Sequence, residues 1–337
     1  MAQATIRDVA RESGLSVASV SRALNGHKSV RPETRAHVVA VADRLGYVPH
    51  AGARSLSMAR SNAIGVVLPD LHGEFFSEIV RGMDREASRR GLQLLLSNMH
   101  ADPAQATQAL RAMRGRVDGL LIMSPQMRAD GWSSAVPRGL PAVLINSSDD
   151  NGHHPALRMD NRAGAAAVAR HFATIGRRSI FHIAGPDHNV DARERREGFA
   201  EAIGREIPGA MLTVLPGNFT EESGEAAARH ILTGNVPVDA IFAANDMMAV
   251  GCLQTLRDAG RQVPSDIAIA GFDDVPIARY LGLTTIRVGI AEIGMRAVER
   301  LAAMMDGESE DAPLVEWHQP DLVVRGTTVG SAPQNKS

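Results

Sequence analysis

Cysteine occurs once in the 337 residues, at Cys252. A single thiol excludes an intrachain disulfide and any cysteine-based metal cluster, and it fits a reducing cytoplasm, which is the expected location. No apolar run approaches the ~20 residues that a membrane span needs. The N-terminal Met-Ala-Gln-Ala-Thr-Ile-Arg lacks the apolar stretch of a signal peptide, so neither export nor membrane insertion is expected. Motifs of catalysis are missing as well: there is no G-x-S-x-G elbow, no H-E-x-x-H, no P-loop and no G-x-G-x-x-G. Asp273-Asp274 is a carboxylate pair, but neighbouring residues need not face one site. No enzyme, cofactor or metal is therefore expected.

What the chain does have is a hidden charge asymmetry. Thirty-six Lys and Arg against 38 Asp and Glu leave a formal charge of −2. Through Arg60, however, nine basic residues face four acidic ones, so that segment carries +5 and the remainder −7. A small basic module joined to a larger acidic body is the pattern of a nucleic-acid binder with a second function.

The basic segment reads as three short helices. Thr5 precedes the apolar stripe Ile6, Val9, Ala10 with Asp8 in capping-box position, and Gly14 stops that helix. Ser16 caps a second helix in which Val20 and Leu24 point inward. Pro32 opens a third, carried by Val38, Val41, Ala42 and Leu45 up to Gly46. Helix, four-residue turn, helix and a bracing helix is the helix-turn-helix layout. Val17, Ala18 and Arg22 then lie where side chains reach base edges, and Arg22 can donate twice to guanine. Thr5, Ser16, Ser21 and Asn25 suit phosphate contacts. A protein-interaction module with a solvated basic face is the other reading of the same pattern. The segment from His50 to Leu56 is too short and too glycine-weakened to be a stable helix alone. Leu56 beside Arg54 has the composition of a minor-groove wedge with its electrostatic anchor, or else Leu56 packs against the following domain.

From Ala63 onward, apolar runs of strand length alternate with helical segments. The runs are 64–68, 92–96, 120–123, 142–145, 180–184, 240–243 and 267–270. Continuous apolar strands of this kind are buried on both faces, so two open, doubly wound parallel α/β sheets are expected. Such sheets bind ligands at the carboxyl ends of their strands. Asp70, Ser124 and Asn146 follow strands of the first half, and Asn245, Asp246 and Asp273 follow strands of the second. Phe75, Phe76 and Phe219 can stack on the apolar face of a sugar, and they stand out where aromatics make up 4 % of the chain. Asp191 and Arg195 lie in a charged run, and an arginine fork suits vicinal hydroxyls or a carboxylate. Helix caps, core aromatics and a solvated charge run are the alternative readings.

Together, Thr5-Ile6-Arg7-Asp8-Val9-Ala10, Gly14 to Asn25, Arg31-Pro32-Glu33-Thr34-Arg35, Leu45-Gly46-Tyr47 and Ala53-Arg54-Ser55-Leu56 resemble the LacI/GalR family of bacterial transcription regulators. Ala184-Gly185-Pro186, Ala244-Asn245-Asp246 and Gly271-Phe272-Asp273-Asp274 extend the resemblance over nearly the whole chain. It implies a helix-turn-helix head over 1–48, a hinge helix over 49–61 and a periplasmic-binding-protein-like body over 62–330, followed by a disordered tail at 331–337. The first lobe would hold about 62–159 plus 290–320, and the second about 160–289 plus 321–330. It further implies Leu56 inserted at a central base step and a Val17, Ala18, Arg22 reading triplet of the GalR type. An effector pocket would be lined by Phe75, Phe76, Asn146, Arg195, Phe219, Asn245 or Asp246, and Asp273. The partners implied are double-stranded operator DNA, a second copy of the chain, and a sugar, oligosaccharide or sugar acid. A regulator that responds to a non-sugar small molecule such as a purine is one alternative, and a periplasmic sugar-binding protein is the other, disfavoured by the basic head and the missing signal peptide.

Overall fold

The computed structural model describes residues 4–25, 27, 29–47, 60–100, 102–126, 136–147, 154–308 and 313–329. The hinge residues Arg54 and Leu56 and the tail lie outside the described residues. The chain divides into two compact units, Met1–Ala63 with Arg116–Asp118, and Ile64–Gly115 with Gly119–Ser337.

The first unit is built on α1 (Ile6–Ser13), α2 (Val17–Leu24) and α3 (Pro32–Leu45). Asp8 reaches back to the start of α1, where its Oδ2 accepts from the Thr5 N–H at 3.0 Å and the Thr5 hydroxyl at 2.7 Å. Those bonds hold its carboxyl below the ordinary aspartate range. Gly14 ends α1 in the left-handed region at φ 69°, and only Gly14, Leu15 and Ser16 separate α1 from α2, one residue fewer than expected. Val9, Ala10, Val20, Ala23, Val38, Val41, Ala42 and Tyr47 form the core of this unit. Ala23 takes the fully buried place expected of Leu24, which is only half-buried.

The second unit contains two sheets. The six-stranded sheet has the order β11-β5-β4-β3-β1-β2, from β1 (Ala63–Leu68), β2 (Gln93–Asn98), β3 (Gly119–Met123), β4 (Ala142–Ile145), β5 (Ala156–Met159) and β11 (Val315–His318). The four-stranded sheet has the order β7-β6-β8-β9, from β6 (Ser179–Ala184), β7 (Met211–Pro216), β8 (Ala240–Ala243) and β9 (Ala268–Ala270). All pairs within β7-β6-β8-β9 and from β11 through β1 are parallel. A two-stranded antiparallel ribbon, β10 (Thr285–Arg287) with β12 (Asp321–Val323), continues from the end of β9 through the bridge Ala270–Thr284. Burial on both faces holds for β1, β3, β4, β8 and β9. It fails for β2, an edge strand with Leu96 45 % exposed.

Helices cover the sheets: α4 (Glu74–Arg89), α5 (Pro103–Met113) and α11 (Ile290–Met305) beside the first, and α6 (Asn161–Thr174), α7 (Val190–Glu206), α8 (Glu221–Thr233), α9 (Asp246–Asp258) and α10 (Pro276–Leu281) beside the second. The chain passes from the first sheet to the second after β5, returns after β10, and crosses again between β11 and β12. Among the described residues no helix is long and apolar enough to cross a membrane.

Candidate functional sites

In the first unit, α2 turns Val20 and Ala23 inward and leaves Val17, Ala18 and Arg22 exposed. The Ser16 Oγ accepts the Ser19 N–H at 3.1 Å and so caps the helix. The Arg22 Nε donates to the Ala18 carbonyl at 3.3 Å, which lays the guanidinium along the exposed face. Ser21 and Asn25 are half-buried and joined, with Asn25 Nδ2 donating to Ser21 Oγ at 3.3 Å. Thr5 is exposed, but its hydroxyl is already given to Asp8. The structure thus presents two small apolar groups and one arginine on one helix face, the set that can enter a major groove and read thymine methyls and guanine.

In the second unit a cleft of about 360 Å³ lies between the carboxyl ends of the two sheets. From the first lobe come Asp70 after β1, Phe75 and Phe76 on the first turn of α4, His100 after β2, Pro125 and Gln126 after β3, and Asn146 after β4. The second lobe contributes His188 and Asn189 after β6, Asp191 and Arg195 on α7, Asn218 and Phe219 after β7, Asn245 after β8, and Asp273 after β9. Nine of the eleven expected effector residues therefore line one cavity.

Ser124 and Asp246 do not. Ser124 is buried at the end of β3, and its N–H donates to Ser147 Oγ at 2.8 Å. Asp246 is fully buried beneath the cleft, where Oδ2 accepts from the Val275 N–H at 2.9 Å and Oδ1 accepts the Thr285 hydroxyl at 2.5 Å. It stitches β10 to the loop before α10. Gly271 makes room for it, since a Cβ there would lie 2.2 Å from Asp246 Oδ1. Burial, and secondly the charge of Asp273, push the Asp246 carboxyl well above the ordinary range.

Arg195 is held more completely than a free fork would be. Its Nε donates to Asn161 Oδ1 at 2.9 Å and its Nη1 to the Ala244 carbonyl at 2.6 Å, while the guanidinium lies 3.8 Å over the Phe272 ring. Nη2 stands 3.4 Å from Asp273 Oδ1, close enough for an ion pair but not aligned as a hydrogen bond. Asn161 in turn donates to Asp191 Oδ1 at 2.9 Å. Burial lifts Asp191 to about 6 and Asp273 to about 7, in each case against the opposing charge of Arg195. Among the described lining residues, one arginine with most of its donors engaged stands among three aspartates, which gives the cleft an acceptor-rich character.

Three buried acceptor atoms on residues that line the cleft have no hydrogen-bond partner: Gln126 Oε1, Asn146 Oδ1 and Asp273 Oδ1, the last within ion-pair distance of Arg195. Asn146 is 2 % exposed and Asp273 is 5 % exposed, so water does not compensate them as it would at a surface. Asn146 at φ 46°, Phe219 at φ 72° and Asp273 at φ 116° also occupy the left-handed region. Such conformations cost of order 1–3 kcal/mol each and persist where the surroundings enforce them, often at ligand sites. Aromatic walls complete the site: Phe75 and Phe76 meet edge to face at 5.4 Å in the first lobe, and Phe219 stands in the second.

Sequence reasoning missed His100, Gln126, His188, Asn189 and Asn218. Gln126 and Asn218 lie two and one residues from positions it singled out, and Asn189 caps α7, with Oδ1 accepting the Ala192 N–H at 3.0 Å. Strand-end placement is the signal for His100, Gln126, His188 and Asn189, whereas Asn218 follows β7, which carries no continuous apolar run.

Comparison with known proteins identifies the family. Residues 5–50 match the family of bacterial regulatory proteins of the lacI type, and residues 169–328 match the periplasmic binding protein-like domain. The HTH-type transcriptional regulator GalS of Salmonella typhimurium is 34 % identical over 325 residues, covering 95 % of each chain. A crystal structure of the lac repressor dimer bound to operator and the anti-inducer ONPF superposes with a TM-score of 0.86 at 27 % identity, covering 97 % of this chain and all of that one. The CelR–cellobiose complex follows with a TM-score of 0.69 at 28 % identity, over 96 % of this chain and 99 % of that one. Relatives of this kind are regulators and not enzymes. The chain belongs to the LacI/GalR family of DNA-binding transcription regulators.

Proposed function

We propose that the chain is a repressor of carbohydrate metabolism that binds a pseudo-palindromic operator as a homodimer and responds to a neutral, hydroxyl-rich sugar held in the cleft. The observation that carries this reading is the lining of the cleft by Gln126, Asn146 and Asp273, each with an acceptor atom that makes no hydrogen bond, together with Phe75, Phe76 and Phe219. Acceptors want donors, and a sugar supplies hydroxyl donors together with an apolar ring face. Among the described lining residues Asp70, Asp191 and Asp273 outnumber Arg195, so a sugar acid or phosphate would add acidic groups to a wall already rich in them. A similar regulator solved as a complex with cellobiose supports a saccharide as the ligand.

On the DNA side, Val17, Ala18 and Arg22 are the base-reading set, with Ser16, Ser21 and Asn25 near the backbone. The operator-bound relative is a dimer, which supports a homodimer here. Screening the full chain by thermal shift against neutral sugars, sugar acids and purines tests the reading. A ligand at about a hundred times its Kd contributes about 2.7 kcal/mol, or roughly 5 °C for a body of this size. The expected hit is a neutral mono- or disaccharide that also changes operator affinity; a shift from sugar acids or purines alone overturns the proposal.

A further inference from the structure

Phe219 sits in the left-handed region at φ 72°, where a residue with a side chain is held only if something holds it. Two features do so. The Asn245 Nδ2 donates to the Phe219 carbonyl at 2.9 Å. The ring itself lies over Gly185, where an added Cβ would stand 2.4 Å from Phe219 Cζ and 2.6 Å from Cε1. Sheet order explains why these three residues meet. Phe219 follows β7, Gly185 follows β6 and Asn245 follows β8, and β6 lies between the other two in the order β7-β6-β8-β9. A side chain at the end of the central strand would block the space through which its neighbours reach each other. Glycine leaves that space open, and the aromatic ring fills it.

We propose that Asn245 is a positioning residue that fixes the aromatic wall of the second lobe by pinning the Phe219 backbone over Gly185, rather than a direct contact of the effector. The proposal rests on the reading of the cleft as the effector site. Asn245 is committed on both sides of its amide: Oδ1 caps α9 by accepting the Met248 N–H at 3.0 Å, while Nδ2 holds Phe219. The loop is braced independently, since Asn218 Oδ1 accepts from the Thr220 N–H at 3.1 Å and from its hydroxyl at 2.9 Å. An aromatic wall fixed before the ligand arrives spares the cost of ordering it on binding, and it sets how deep a sugar ring can enter.

Asn245→Asp separates the two roles of the amide, because aspartate caps a helix as well as asparagine does but cannot donate to a carbonyl. Hydrogen exchange of the full chain without ligand is the readout. Amides of 217–221 are expected to exchange at least tenfold faster in Asn245→Asp, while those of the first turn of α9 keep their rates. Gly185→Ala, which pushes the ring from its slot with Asn245 intact, is expected to accelerate the same segment. Unchanged exchange at 217–221 in Asn245→Asp overturns the proposal, and so does equal acceleration of the loop and of α9, which makes Asn245 a cap alone. Failure of every sugar to stabilise the wild-type chain would instead remove the effector reading of the cleft and leave the exchange result standing.

Discussion

His182 is the residue whose chemistry is most at odds with its surroundings. It lies on β6 in the core of the second lobe, stacked on Phe242 at 4.9 Å and near Phe199 at 5.5 Å. Nδ1 donates to the Phe242 carbonyl at 3.0 Å, and Nε2 has no hydrogen-bond partner. Burial lowers its pKa to about 4, against 6.5 for a free imidazole. Above pH 6.5 the ring is neutral in both folded and unfolded chains, so it adds no pH dependence there. As pH falls below 6.5 the unfolded chain takes up a proton that the folded one refuses, and stability is lost until about pH 4. Asp191 and Asp273 act in the opposite sense, because their raised values make the folded chain bind protons first and gain stability as pH falls through 7 and 6. Comparing the wild type with His182→Phe cancels the aspartates. In urea titrations the wild type is expected to lose about 2 kcal/mol relative to the variant between pH 7 and pH 5. Parallel stability curves would show that the imidazole is charged in the fold.

At the scale of elements, helix contacts in the second lobe depend on glycines that leave backbones touching. A Cβ on Gly224 of α8 would stand 2.0 Å from the Met248 carbonyl of α9, and one on Gly251 of α9 would stand 2.1 Å from the Glu221 carbonyl of α8. The pair is reciprocal, so each helix lies in the gap the other leaves. Gly251→Ala is expected to cost about 3 kcal/mol by forcing the helices apart. Gly204→Ala in α7, where a Cβ would meet nothing within 4 Å, is expected to gain about 0.5–1 kcal/mol from reduced chain entropy. Chemical denaturation distinguishes them, and a neutral Gly251→Ala would mean that α8 and α9 move apart freely.

Legibility in the sequence follows the same division. Elements with a local signal were readable: Asp8 and Ser16 at helix starts, Gly14 and Gly46 at stops, and the buried strands β1, β3, β4 and β8. Strand β5, interrupted by Arg158, and the edge strand β7, with Met211, Val214 and Pro216 exposed, carry no continuous apolar run and were not. In the cleft, strand-end position singled out Asn146 and Asp273, and the scarcity of aromatics singled out Phe219, but neither could separate Asn245 from Asp246. These neighbours point opposite ways, one into the cleft wall and one beneath it, and only the tertiary partners Val275 and Thr285 decide which. The partners that occupy the donors of Arg195 are equally distant in sequence, 34 residues away at Asn161 and 49 at Ala244.

For the whole molecule, the division of charge predicts a division of response to salt. The +5 segment meets phosphate, so operator binding releases counterions; with six to ten phosphate contacts it should fall about 10³–10⁵-fold between 50 and 200 mM salt. Binding of a neutral sugar in a buried cleft displaces no such ions, and its affinity should stay within about twofold over the same range. The two events are nonetheless linked if the sugar prefers one arrangement of the chain, and linkage is reciprocal: the factor by which sugar changes operator affinity must equal the factor by which operator changes sugar affinity. Fluorescence anisotropy of a labelled operator with and without saturating sugar gives the first factor. Calorimetric titration of sugar into the free chain and into its operator complex gives the second. Equal factors of about 5–150 fit two states biased from both ends. A factor of one in both would mean that the cleft fills without informing the head, and the occupant would then not be the effector.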